Sequence, residues 1–229
     1  MKNNYPFGFI LFLTATFVLF SFLACKKKLQ QDPYLGYDYF PVKPGKWVIY
    51  SIDSISFSDI VGTDTVRYEI KELVESEFTD NAGRISQRIV RYKRPSANEK
   101  FELIDVWFST LTEARAEKIE ENIKYIKLVF PVRNSKSWDG NAFNNLEEWN
   151  YHYVEVHTPM TINNLSFDST LTVQQIESFN LIEAKNYRES YAAGIGLINK
   201  EIVDIETEVN GTIKRGYKFN QNILSHGEL

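Results

Sequence analysis

The chain has few of the residues from which most covalent and metal chemistry is built. Among 229 residues there are one cysteine, two methionines and three histidines. One cysteine excludes an internal disulfide framework and any multi-cysteine metal site. His152 and His157 lie an odd number of residues apart, so on one strand they face opposite ways, and His226 sits in the C-terminal tail. No two histidines therefore share a metal without a bulge. Neither a Gly-x-Ser-x-Gly elbow nor a Ser-x-x-Lys motif occurs. Glu120-Glu121 and Glu147-Glu148 are adjacent, so on strands the members of each pair face apart and read as solvated edges, not as a glycosidase couple. A formal net charge of −4 offers no field for a phosphate backbone. These absences predict no catalytic residue, no metal, no cofactor and no nucleic-acid partner.

What is present begins with the surroundings of that single cysteine. Lys2 gives a short basic start, the stretch from Phe7 to Leu23 carries no charge, and it closes as Phe22-Leu23-Ala24-Cys25. This resembles a bacterial lipobox, in which the leader is cut before the cysteine and lipid is joined to its sulfur. The alternative is an uncleaved transmembrane anchor, which the basic triplet Lys26-Lys27-Lys28 would orient with that side in the cytoplasm. The lipobox reading makes residues 1–24 a signal peptide, and it implies three acyl chains (diacylglycerol and palmitate) on Cys25, enough for stable anchoring. Lys26 rather than aspartate follows the cysteine, which in that family implies the outer membrane. No acidic export run follows either, so a periplasm-facing orientation is expected. Residues 25–41, with Gln30, Gln31, Asp32-Pro33 and tyrosines 34, 37 and 39, read as the lipidated cysteine and a flexible tether.

Residues 42–229 read as one β domain. Pro44-Gly45 marks a turn, and Trp47 opens the first strand. In Val66-Arg67-Tyr68-Glu69-Ile70-Lys71 apolar and charged residues alternate, the period of a half-buried strand. Ile123, Tyr125 and Val129 alternate with Ile126, Leu128 and Phe130, a strand buried on both faces. Trp149, Tyr151 and Tyr153 share one face opposite His152, Val154 and Val156, and Asp80-Asn81-Ala82-Gly83 reads as a hairpin loop. For Val203 to Phe219 the burial pattern favours a three-residue loop of Val209-Asn210-Gly211 that pairs Thr207 with Ile213, Glu206 with Lys214 and Val203 with Tyr217. Residues 112–122 fit helix or strand; strand neighbours favour strand. The whole predicts a mainly β fold, a single antiparallel sheet curled into a half-barrel or sandwich, with little helix apart from the leader.

Three stretches, YFPVKPGKWVIY (39–50), KLVFPVRNSKSWDGN (127–141) and AGIGLINKE (193–201), resemble those of uncharacterised bacteroidete-type outer-membrane lipoproteins. The resemblance touches the start, middle and end of the domain and implies an envelope lipoprotein, but brings no activity with it. Lipid-handling lipoproteins of similar kind curl a sheet around an apolar cavity, which makes a hydrophobic ligand an alternative.

Trp138-Asp139-Gly140-Asn141 is the most conspicuous loop. Trp138 with the Asp139 and Asn141 oxygens has the chemistry to stack on a sugar ring and bind its hydroxyls, as do Trp149, Tyr151 and Tyr153 if they line a concave sheet. The competing reading is a tight turn in which Gly140 takes positive φ and Trp138 plugs one end of the domain. Gly194 and Gly196 lack the third glycine of a dinucleotide fingerprint and read as backbone accommodation. Asp53-Ser54-Ile55, Asp64-Thr65-Val66 and Asp168-Ser169-Thr170 match a short O-glycosylation pattern, making Ser54, Thr65 and Ser169 candidate acceptors beside their plain use as strand starts. The expected function is a non-enzymatic accessory subunit of an envelope assembly, held to the membrane by lipid on Cys25 and offering strand edges and aromatic patches to other envelope proteins. A binding module for an apolar ligand or glycan is the alternative, and a hydrolase comes last.

Overall fold

The computed structural model describes residues 34–229. The leader, Cys25 and the first part of the tether lie outside those residues. A short 3-10 turn, Tyr37–Tyr39, precedes twelve strands: β1 (Lys46–Ser58), β2 (Gly62–Thr79), β3 (Ile85–Arg94), β4 (Glu102–Leu111), β5 (Arg115–Glu120), β6 (Ile123–Val129), β7 (Ser137–Asp139), β8 (Asn150–Ile162), β9 (Leu165–Phe179), β10 (Glu183–Ala192), β11 (Gly196–Thr207) and β12 (Ile213–Glu228). They form one antiparallel sheet in the order β6-β5-β4-β3-β2-β1-β12-β11-β10-β9-β8-β7, nearly closed into a barrel. The mainly β, curled single sheet is the fold that alternation along the chain predicts. Among the described residues no helix is long and apolar enough to cross a membrane.

Local chemistry accounts for the meander. Glu121-Asn122 and Asn163-Asn164 each place two successive residues at positive φ, the two-residue turn whose twist matches that of the flanking strands. The first of these settles residues 112–122 as a turn, β5 and the start of a hairpin, so they are strand and not helix. Asp80 closes the β2–β3 loop: its carboxylate accepts from the backbone N–H groups of Ala82 and Arg84, with Gly83 at positive φ. In the β11–β12 hairpin Thr207 pairs with Ile213, as the three-residue loop predicts, and Gly211 lies at φ 87. A bulge then shifts the register, so Glu206 pairs with Arg215, not Lys214, and Val203 with Lys218, not Tyr217. Lys214 is the extra residue of this bulge, and two residues on Gly216, at φ 120, lies so close to the carbonyl of Asp204 that a Cβ there would collide with it.

The domain starts earlier than Val42. Tyr39 is fully buried and Phe40 nearly so, the Leu35 carbonyl accepts from Val132 N–H at 3.1 Å, and the Asp38 carbonyl accepts from Gly194 N–H at 2.8 Å. Residues 35–41 are therefore part of the packed body and not tether. A run rich in tyrosine beside a proline reads as linker by composition, yet each ring buries a large apolar area once a barrel end is there to receive it. The Tyr39 hydroxyl is shared with Ser169 Oγ at 2.7 Å and His157 Nδ1 at 2.8 Å.

The outermost strands of the sheet lean on one another across a seam. Ile126 N–H of β6 donates to the Gly140 carbonyl at 2.9 Å, and Trp138 Nε1 of β7 donates to the Ile126 carbonyl at 2.9 Å. The Tyr153 hydroxyl accepts from Val129 N–H and donates to Val129 C=O. This closure takes up backbone groups that open edges would offer to a partner, so the offer of strand edges is corrected for β6 and β7.

Gly194 and Gly196 frame the β10–β11 turn at φ 77 and 96, and Gly196 packs against Pro41. Gly194→Val and Gly196→Val should each destabilise the fold by about 1–3 kcal/mol, seen as a lowered thermal midpoint. Wild-type-like melting of both variants would contradict the left-handed geometry.

Candidate functional site

The most distinctive chemistry of the molecule is buried. Seven ionised side chains form one connected chain of opposite charges. Arg91 Nε of β3 meets Glu72 of β2 at 3.0 Å, and Lys118 of β5 meets the other Glu72 oxygen at 3.0 Å. Lys118 lies 3.8 Å from Glu120, which Lys127 of β6 approaches at 3.3 Å. Lys127 donates to Glu189 of β10 at 2.7 Å, and Lys200 of β11 spans Glu189 at 3.4 Å and Glu120 at 3.7 Å. The side chains of Lys127 and Glu189 are 4% and 1% exposed. Tyr191 donates to the second Glu189 oxygen at 2.6 Å, and the Arg91 guanidinium stacks 3.5 Å from the Trp107 ring.

Electrostatics hold the three carboxylates and Lys127 in their charged forms. Burial alone would raise the Glu120 carboxyl, but Lys127, Lys200 and Lys118 together more than reverse it and hold it well below the usual carboxylate range. The same contest, with Lys127 and Lys200 as the winning neighbours, holds Glu189 down, and Lys118 with Arg91 holds Glu72 down. Lys127 would be lowered by burial and is instead raised, because Glu120 and Glu189 flank it. Tyr191 is raised by burial and by the Glu189 charge beside it. A second node lies apart: Glu117 is held by Arg115 at 2.6 Å, Arg84 at 3.1 Å and Lys124 at 3.6 Å.

The residues picked out from sequence are dispersed by comparison. Trp138, Asp139, Asn141, Trp149, Tyr151 and Tyr153 do come together, at the closing seam and not around an open concavity. Asp139 Oδ1 accepts from the N–H groups of Asn141 and Trp149, a turn built by its own side chain, and buried Asn141 donates to the Glu147 carbonyl. Tyr151 and Tyr153 are buried against Trp138, with ring centroids 6.0 and 4.8 Å away. Gly140 sits against the Tyr151 ring, where a Cβ would collide. Glu147 and Glu148 are exposed, whereas the Glu120 side chain is only 12% exposed amid three lysines, which corrects its reading as a solvated edge. Among the described residues no group of three His, Cys, Asp or Glu could hold a metal. Thr65 is exposed, Ser54 half-buried, and the Ser169 hydroxyl is engaged with Tyr39.

Composition missed the network because glutamate and lysine read as surface. The available signal was phase. Glu72 is in step with Val66, Tyr68 and Ile70, and Lys127 with Ile123 and Tyr125, so each stands on the face that alternation assigns to the core.

Linkage fixes the pH response. The lowered Glu72, Glu120 and Glu189 contribute stability that is present above the unfolded value of about 4.3 and lost as pH falls through their folded-state values; the raised Lys127 contributes stability that is present below about 10.4 and lost as pH rises through its folded value. Denaturant unfolding should therefore show a plateau from roughly pH 5 to pH 10, falling on both sides. A midpoint that rises on acidification from pH 5 to pH 3 would contradict ionised, paired carboxylates.

No protein-family model and no curated protein matches the chain. Two solved structures share part of its shape. One, from Bacteroides fragilis NCTC 9343, is described as an exported protein with a YmcC-like fold; it is 8% identical, with a TM-score of 0.47 over 82% of this chain and 98% of its own. The other, from Parabacteroides distasonis ATCC 8503, is described as a lipoprotein; it is 10% identical, with a TM-score of 0.40 over 86% of this chain and 100% of its own. At this distance neither transfers a role to the chain.

Proposed function

We propose that the protein is a lipid-anchored component of a bacterial envelope, attached through Cys25 to the periplasmic face of the outer membrane, and that it works by non-covalent association as an accessory subunit. The observation that carries this reading is a set of exposed aliphatic side chains on three neighbouring hairpins. Strand directions place the β1–β2, β9–β10 and β11–β12 turns at one end of the barrel, opposite the end where residues 35–41 enter. Ile60 and Val61 are 93% and 84% exposed, Leu181 78% and Val209 76%. The tips adjoin: Thr207 N–H donates to the Ile182 carbonyl at 2.9 Å, and the Asp59 charge acts on Arg215. Scattered single apolar residues need no explanation, but a cluster of them at one end supports an interaction surface.

The buried charges favour association over catalysis. A general acid or base works best with a pKa near the operating pH, and here the carboxyls are driven down and Lys127 up, away from neutrality. The cavity that reaches the network measures about 80 Å³, too small to enclose a lipid chain.

Gentle extraction of full-length protein and native mass spectrometry test the proposal. An acylated chain is expected, with one or more envelope proteins at fixed stoichiometry that an Ile60→Asp, Leu181→Asp double variant loses while keeping its fold and acyl mass. A lone acylated chain would overturn the accessory role, and a mass without acyl chains would overturn the anchor.

A further inference from the structure

Away from the ion network, the β2–β3 loop and strands β2 to β6 frame a surface depression of about 500 Å³, within the ~300–1,000 Å³ range of small-ligand sites. Its floor is one transverse row of side chains on the face of the sheet that looks away from the network. Phe78 of β2 pairs with Ser86 of β3, Ser86 with Thr110 of β4, and Thr110 with Glu117 of β5. Glu117 is out of step with Lys118 and Glu120, so alternation sends it to the opposite face. Phe78 lies an even number of residues from Glu72, yet the bulge at Glu75 turns it to the same side as Ser86. Phe108 and Ile119, themselves a pair, form the next row.

Polar burial in this row calls for a partner. Ser86 and Thr110 are 2% and 7% exposed, and Glu117 is buried beside them. The Ser86 and Thr110 hydroxyls lie 2.7 Å apart, so one donates to the other. That uses one of their two hydroxyl hydrogens, and the other has no acceptor among the described residues. A buried donor left unsatisfied is costly, and a ligand hydroxyl removes that cost.

The rest of the wall is held ready. Asp80 accepts from the N–H groups of Ala82 and Arg84 at 2.9 Å, which fixes the loop, and Arg84 is clamped between Asp80 at 2.8 Å and Glu117 at 3.1 Å. Lys124 lies 3.6 Å from Glu117, past hydrogen-bond range, so its ammonium keeps N–H donors for another acceptor. Charge on the wall cancels, with Arg84 and Lys124 against Asp80 and Glu117. Arg115, the third cation on Glu117, lies 4.5 Å over the Phe143 ring and does not line the depression. An uncharged ligand is therefore favoured over an ion. Exposed Phe78 and its neighbour Phe108, with ring centroids 5.6 Å apart, set an aromatic wall beside the polar row. A molecule with hydroxyls along its edge and a C–H face fits both halves.

We propose that this depression binds a neutral pyranose saccharide, with its hydroxyls on Ser86, Thr110 and Lys124 and its C–H face on Phe78. The inference goes beyond the association role and needs neither the hairpin tips nor the acyl anchor. It also moves sugar recognition away from Trp138, whose ring serves the seam.

Saturation-transfer NMR and titration of the full-length protein test it, in a polyoxyethylene detergent that carries no sugar headgroup. The probes are the methyl pyranosides of glucose, galactose, mannose and N-acetylglucosamine, with glycerol, cyclohexanol and glucuronate as comparisons. At least one glycoside should bind saturably, in the millimolar range or tighter, and each comparison about tenfold or more weaker. Phe78→Ala should weaken that glycoside about fivefold or more. A Ser86→Ala, Thr110→Val double variant should weaken it about fivefold, and it should keep its fold because neither hydroxyl is left unpaired. The melting profile of each variant is recorded alongside. No saturable binding of any of these glycosides by the wild-type chain would overturn the proposal, whatever the variants do. Glycerol, cyclohexanol or glucuronate binding as tightly as the best glycoside, or unchanged affinity in a folded Phe78→Ala protein, would also overturn it.

Discussion

Opposite charges buried in the middle of a β-barrel constrain this molecule more than any other feature. The links cross the barrel and do not merely run along neighbouring strands: Glu72 of β2 meets Lys118 of β5, Lys127 of β6 meets Glu189 of β10, and Lys200 of β11 reaches Glu120 of β5. In the sheet order, β6 and β10 are far apart, so these contacts exist only when the sheet has curled fully round. Removing an ion from water costs several kcal/mol, and the attraction between partners offsets this only when every member is in place. The network therefore adds little net stability but penalises wrong closures. A strand slipped by one residue would carry its charge to the other face and leave the remaining partners buried and unpaired.

The rest of the architecture can be read as support for that closure. Two apolar clusters accompany the charges, with Tyr191 in one and Tyr50 in the other, and the first draws on strands from both ends of the sheet. The seam is closed by side chains with a polar end and a broad apolar body, Trp138 and Tyr153, which bond to β6 backbone while filling space. The entering segment 35–41 packs Tyr39 into the body beside Ser169 and His157. The far set of hairpin tips, with Ile60, Val61, Leu181 and Val209 exposed, remains for contact with other molecules.

Much of the fold was legible in the chain. Alternation in Val66–Lys71 and in 149–156 identified real strands and their buried faces, and the β2–β3 loop follows from Asp80 and Gly83 alone. Register was harder. The burial pattern fixed Thr207 against Ile213, yet the bulge at Lys214 shifted everything beyond it, because one extra residue in a strand does not show in an apolar-polar pattern. The candidate site was mostly hidden. Trp138 and Asp139 drew attention as ligand chemistry and serve the seam, whereas Lys127 and Glu189 look like ordinary surface residues until strands distant in sequence bring them to 2.7 Å. A charge in phase with a core face is the local trace of such a network, but its partner is a long-range property that no local pattern carries.

A double-mutant cycle on Lys127 and Glu189 tests the central claim most directly. Lys127→Met and Glu189→Leu should each cost about 3–5 kcal/mol in equilibrium unfolding, since each leaves charge buried without its partner. The pair together should cost much less than the sum of the two, a coupling energy well above about 1 kcal/mol. Additive effects, or single substitutions that leave stability unchanged, would show that the charges do not hold one another and that closure of the barrel rests on apolar packing alone.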